Sequence, residues 1–115
     1  MSKLSEHAIQ VSLLSYLRIK HPDALVFAIP NGGKRHPSVA AKLKMEGVLA
    51  GVPDLWIEGS FLEIKTEKGR LSPAQKDIIK RLRDRGITVE VAYGLNDAIK
   101  KAEETLRGTK NDRMV

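Results

Sequence analysis

Three residues in one short stretch could do chemistry together: Asp54, Glu63 and Lys65. They lie in Val52-Pro53-Asp54-Leu55-Trp56-Ile57-Glu58-Gly59-Ser60-Phe61-Leu62-Glu63-Ile64-Lys65, where two apolar runs flank a Glu-Gly-Ser turn signal. That is the pattern of a β-hairpin. Strand side chains alternate faces, so Glu63 and Lys65 share a face while Leu62 and Ile64 point the other way. With Gly59-Ser60 as the two-residue loop, Glu58 pairs with Phe61, Asp54 falls opposite Lys65, and Glu63 is the diagonal neighbour of Asp54. Two hard carboxylate ligands can hold Mg²⁺ and leave waters on it. Metal-bound water is easier to deprotonate, and a nearby Lys can orient it or stabilise phosphoryl charge. That chemistry suits phosphodiester hydrolysis. The same residues also fit a plainer description, with alternate charges on the wet face of a half-exposed sheet and a Pro-Asp turn leading into it.

Helices must bring any further polar groups to that face. Ile9, Leu13 and Leu17 recur at helical spacing, which predicts a helix over residues 5–20 with Ser5 or Ser2 as cap. Glu6 precedes these three by 3, 7 and 11 residues and so extends the buried stripe at its N-terminal end. Ser72-Pro73 is a strong helix start, followed by an apolar stripe of Ile78, Ile79 and Leu82 and a stop at Gly86. Gln75 extends that stripe in the same way. Each polar residue has an ordinary role available, Glu6 as a first-turn carboxylate on the helix dipole and Gln75 as helix-start chemistry. Placed against the Asp54/Glu63 face, they would complete a ring of four polar side chains around one metal pocket.

The remaining elements are a buried strand over residues 24–29, broken by Pro30-Asn31-Gly32-Gly33, and a short helix over 38–46 capped by Ser38. Hairpin strands follow over 54–57 and 61–66, then a strand over 87–92 and a last helix over 96–107, capped by Asn96 and stopped by Gly108. The order α-β-α-β-β-α-β-α predicts an α/β fold with a mixed sheet flanked by helices. Residues 1–108 form one domain and 109–115 a polar C-terminal tail.

Twenty Lys and Arg against fourteen Asp and Glu leave a net charge of +6, which points to a polyanion, with nucleic acid the first candidate. The loop Asn31-Gly32-Gly33-Lys34-Arg35 offers unhindered amides and two cations as a phosphate grip, or is simply a solvated turn. Lys68 and Arg70 follow the hairpin and belong to the same candidate DNA-binding set. Further cations at Lys42, Lys44, Lys76, Lys80, Arg81, Arg83 and Arg85 fit generic solvated faces, some lining a groove for a duplex. Only five aromatic residues argue against base-stacking platforms for single strands. There is no cysteine, no ligand spacing among His7, His21 and His36, no P-loop string and no apolar run of membrane length. A cytoplasmic protein is the default expectation.

Taken together, Pro53-Asp54 with Glu63-Ile64-Lys65 resembles the PD-(D/E)xK nuclease superfamily with its restriction-endonuclease-like core. Glu6 with Ile9-Gln10, Pro30-Asn31-Gly32-Gly33, Gly51-Val52-Pro53-Asp54-Leu55, and Gly69 with Leu71-Ser72 and Gln75 narrow the resemblance to the VRR-NUC (virus-type replication-repair nuclease) family over roughly residues 5–93. The chain is similar to its small stand-alone phage-type members. The resemblance implies that Asp54, Glu63 and the Ile64 backbone carbonyl bind Mg²⁺ or Mn²⁺. Lys65 then activates water, Glu6 contributes from the first helix, and Gln75 orients the catalytic groups. It further implies a metal-dependent endodeoxyribonuclease acting on branched DNA such as Holliday junctions, as a homodimer. A noncatalytic nucleic-acid-binding module and a restriction-type duplex endonuclease are the alternatives.

Overall fold

A computed structural model describes residues 3–30 and 36–114, the side chains of 110–114 excepted. The order is α1 (Glu6–Lys20), β1 (Val26–Ala28), α2 (Pro37–Met45), β2 (Leu55–Ile57), β3 (Ser60–Lys65), α3 (Pro73–Asp84), β4 (Val89–Tyr93) and α4 (Leu95–Met114). It is the mixed α/β arrangement expected from the sequence.

The strands lie in the order β1-β2-β3-β4. The first two pairings are antiparallel and β3 runs parallel to β4, the two joined through α3. One face carries Leu55, Ile57, Leu62, Ile64 and Ala92, which pack with Ile9, Leu13 and Leu17 of α1 and Ala98, Ala102 and Leu106 of α4. Each fully buried Leu or Ile in this layer contributes about 1.5–3 kcal/mol. On the opposite face α3 lays Ile79 over Val89 and Val91, with Phe61, Leu71, Leu82 and Ile87 around them. Among the described residues no helix is long and apolar enough to cross a membrane.

Four local expectations change. The hairpin turns at Glu58-Gly59 rather than Gly59-Ser60, and both turn residues have positive φ, 47° and 96°. That is the conformation demanded by the two-residue turn whose twist matches the strands. Ile57 therefore pairs with Ser60 and Leu55 with Leu62, and the register carried one step further puts Asp54 across from Glu63, not Lys65. The slip is by two, so every side chain keeps its face.

Residues 24–29 do not form a buried strand. β1 is an edge strand, with Leu25 and Phe27 about half exposed, because α3 covers only the β3/β4 half of its face. The short second helix is capped by His36, whose ring accepts from the Ser38 amide, in place of Ser38.

The last helix begins at Leu95 rather than after Asn96, with the Gly94 carbonyl accepting from Ala98, and it runs through Gly108 to Met114. Gly108 does not adopt the positive φ that stops a helix, and a glycine within a helix costs only about 1 kcal/mol. The polar C-terminal residues 109–114 are thus part of this helix.

Candidate active site

β3 presents Glu63 and Lys65 on the face away from α1 and α4, and both are buried. Neither buries for hydrophobic gain, since a charge taken out of water is costly unless paired. Asp54, just before β2, is held by the Ile64 amide, which donates to its Oδ2 at 2.7 Å. The Ile64 side chain lies in the core, and its backbone amide holds Asp54 in the site.

α3 delivers Gln75 through a capping box: the Ser72 hydroxyl accepts from the Gln75 amide at 3.1 Å, and the Gln75 Oε1 accepts from the Ser72 amide at 2.8 Å. The other end of the same side chain donates from Nε2 to Glu63 Oε2 at 3.2 Å. Gln75 therefore fills both roles considered for it, helix start and site partner. Glu6 opens α1 one residue after the Ser5 cap, and its Oε2 lies 3.9 Å from Lys65 Nζ. All four expected polar groups, with Lys65, thus converge.

Glu6, Asp54, Glu63 and Gln75 line a cleft of about 730 Å³, with further lining from α2 and the loop 48–51. Gly51 shapes it. Its φ is +93°, and a Cβ there would stand 2.4 Å from the Ala74 carbonyl oxygen, so only glycine lets this loop meet the start of α3. The role of Gly51 escaped the sequence reading, where it stood only as part of a motif. Lys44, which read as one surface cation among many, also lines the cleft. Lys68 and Arg70 are exposed on the loop between β3 and α3. Asn31, Gly32, Gly33, Lys34 and Arg35 lie outside the described residues.

Glu63 sets the electrostatics. Its Oε1 is buried and, among the described residues, has no hydrogen-bond partner. Burial first, then the neighbouring Asp54 carboxylate, push the Glu63 carboxyl up to about 8 against the pull of Lys65. At neutral pH the metal-free pair therefore retains a proton.

An orphaned buried carboxylate oxygen beside a second carboxylate is the donor set a hard divalent cation takes. Among the described residues no three or more His, Cys, Asp or Glu side chains gather to hold an ion. A cation here would rest on Asp54 and Glu63 and keep open positions, as catalytic rather than structural sites do.

The VRR-NUC domain family matches residues 5–96, a span that includes Glu6, Asp54, Glu63, Lys65 and Gln75. A solved structure described as a VRR_NUC domain protein superposes with a TM-score of 0.76 at 26% identity, over 90% of this chain and 89% of that one. No curated protein matches. The family match spans the sheet, the first three helices and the whole acidic cleft, and by it this chain belongs to the VRR-NUC family of nuclease domains.

Proposed function

We propose that the protein is a Mg²⁺- or Mn²⁺-dependent endodeoxyribonuclease of the PD-(D/E)xK type, selective for branched DNA such as four-way junctions. The observation that carries this reading is the buried Glu63 Oε1, without a partner among the described residues, beside Asp54 and Lys65. Binding DNA alone gains nothing from carboxylates facing a phosphate, whereas hydrolysis does.

Asp54 and Glu63 would hold the cation, with the Ile64 carbonyl as a backbone ligand. Bound there, it supplies Lewis-acid polarisation of the phosphoryl group and lowers the pKa of water. The chain's own groups do the rest. The Ile64 amide fixes Asp54 and Gln75 fixes Glu63, so both carboxylates are positioned before substrate arrives. Lys65 presents its ammonium to the attacking water and to negative charge developing on the phosphoryl oxygens, with Glu6 steadying it from α1. Lys68, Arg70 and residues 31–35 grip the flanking phosphates, in keeping with the net charge of +6.

The described residues carry one such cleft. Paired cuts across a junction need two clefts, which a two-fold dimer supplies at fixed separation. The test incubates labelled duplex, flap and four-way junction with the protein, with Mg²⁺, Mn²⁺ or chelator, and measures protein mass by light scattering. Metal-dependent, paired cuts in the junction by a dimer are expected. Undiminished cutting in chelator overturns the mechanism. A strict monomer making single cuts in flaps overturns junction selectivity while leaving a nuclease.

A further inference from the structure

The open half of the catalytic sheet face carries an aromatic pair with no part in the chemistry above. Phe27 of β1 and Trp56 of β2 are direct cross-strand partners, with ring centroids 5.0 Å apart and planes 23° from parallel. Register extends the row: Phe27 is paired with Trp56, Trp56 with Phe61, and Phe61 with Val89. Four apolar side chains therefore cross one face of the sheet in line. α3 covers the Phe61/Val89 half. The other half ends on Phe27, 48% exposed at the sheet edge, flanked by Leu25 at 58%.

The neighbouring row on the same face, two residues along each strand, holds Asp54 and Glu63. The separation is roughly 7 Å at a strand's rise per residue. The aromatic pair is thus the apolar surface next to the acidic site on its own face, in a chain whose charge draws a polyanion.

On the nuclease reading proposed above, the geometry points to Phe27 and Trp56 as a stacking platform for an unpaired nucleobase flanking the scissile phosphate. A base in a closed duplex is stacked on both sides and cannot reach this edge. A base freed at a branch point or overhang can lie on the Phe27 ring and extend the Phe27–Trp56 stack by one layer. Aromatic stacking accepts any base, so the platform selects for unpaired DNA structure rather than for sequence. Two of the five aromatic residues are thereby placed where an aromatic-poor composition argued against such a platform. Two offset rings suffice for one base, as they would not for a long single strand.

Trp56 is the sole tryptophan, so its fluorescence reports on this edge alone. The full-length protein, in chelator to prevent cutting, is titrated with a blunt duplex and with the same duplex bearing a short single-stranded overhang. Trp56 emission should be quenched by the overhang DNA and little changed by the blunt duplex. Phe27→Ala should weaken overhang binding roughly five- to hundredfold. Phe27→Leu, which keeps the apolar contact at the edge, should lose most of the same preference, and circular dichroism of both variants checks that the fold is intact.

Equal quenching by both DNAs, or unchanged overhang affinity in two folded variants, overturns the platform while DNA binding itself leaves the nuclease reading standing. A protein-concentration-dependent shift of Trp56 emission without DNA, with a doubling of mass by sedimentation, overturns it in favour of a second copy on this edge. Failure to bind either DNA overturns both readings at once.

Discussion

Glu63 and Glu103 are both glutamates drawn out of water, and their surroundings treat them in opposite ways. Glu103, on α4, accepts from Tyr16, from Lys20 at 2.7 Å and from His21 at 2.7 Å, tying α4 to the end of α1. Hydrogen bonds from Lys20, then Tyr16, hold its carboxyl down at about 2. Glu63 is buried more deeply, has one donor for two oxygens, and sits beside another carboxylate, so its carboxyl is pushed up to about 8. The first is how a folded protein uses a partly buried acid for stability. The second costs stability, and proteins keep such costs where a ligand relieves them. The contrast sets a structural end of the molecule apart from the end proposed for chemistry, without reference to any motif.

The largest expected effect is on activity. Asp54→Asn and Glu63→Gln should each lower the cleavage rate by on the order of 10³-fold or more, and Lys65→Ala by on the order of 10²-fold, in single-turnover assays. Glu103→Gln should leave the rate near that of the parent. A Glu103 variant as dead as a Glu63 variant would erase the distinction between the two ends.

Stability should move the other way. Glu103→Gln should cost about 1–2 kcal/mol in urea denaturation, because three donors lose a charged acceptor. Glu63→Gln, in chelator, should be near neutral around pH 4.5 and increasingly stabilising toward about pH 8, where the parent must take up a proton on folding or carry a buried charge beside Asp54. A large loss from Glu63→Gln in chelator would mean that the residue is structural after all.

The pH dependence sharpens the same contrast. Folded metal-free protein keeps a proton on Glu63 that the unfolded chain has already lost, so stability should fall as pH rises from about 4.5 to about 8. Glu63→Gln should flatten that window. Glu103 has a depressed folded value, so its contribution is complete above about 4.5 and is lost as pH falls toward about 2. Thermal melts across both windows, on both variants, check the two signs independently.

Smaller effects belong to the supporting groups. Glu6→Gln and Gln75→Ala should slow cleavage roughly tenfold each. Gln75→Ala should also lose up to about 1 kcal/mol, since it dismantles a capping box as well as releasing Glu63. A loss of stability with unchanged cleavage rate would assign Gln75 to the helix start alone.

Much of this site was legible from residue order. Period-2 alternation put Glu63 and Lys65 on one face, and the 3.6-residue period put Glu6 and Gln75 at the ends of buried stripes pointing to it. What the sequence left open was geometry that depends on partners. Glu-Gly-Ser permits either of two turns, and the choice of Glu58-Gly59 moved the partner of Asp54 from Lys65 to Glu63. An apolar run such as 24–29 reads as buried on both faces, yet nothing in it reveals that α3 covers only half the sheet. Gly108 resembles a helix stop, but a glycine stops a helix by turning left-handed, and local sequence does not set that. The close approach of Gly51 to Ala74 joins residues far apart in the chain and is visible only once they are packed.

The central claim is that Glu63 Oε1 has no partner among the described residues because its partner is a cation, and thermal unfolding with added metal tests it most directly. Mg²⁺ or Mn²⁺ at about 100 times its dissociation constant should stabilise the wild-type protein by about 2.7 kcal/mol, and Glu103→Gln by the same increment. Glu63→Gln and Asp54→Asn should show no such gain. An equal metal-induced gain in all four proteins, or none in the wild type, would contradict the account.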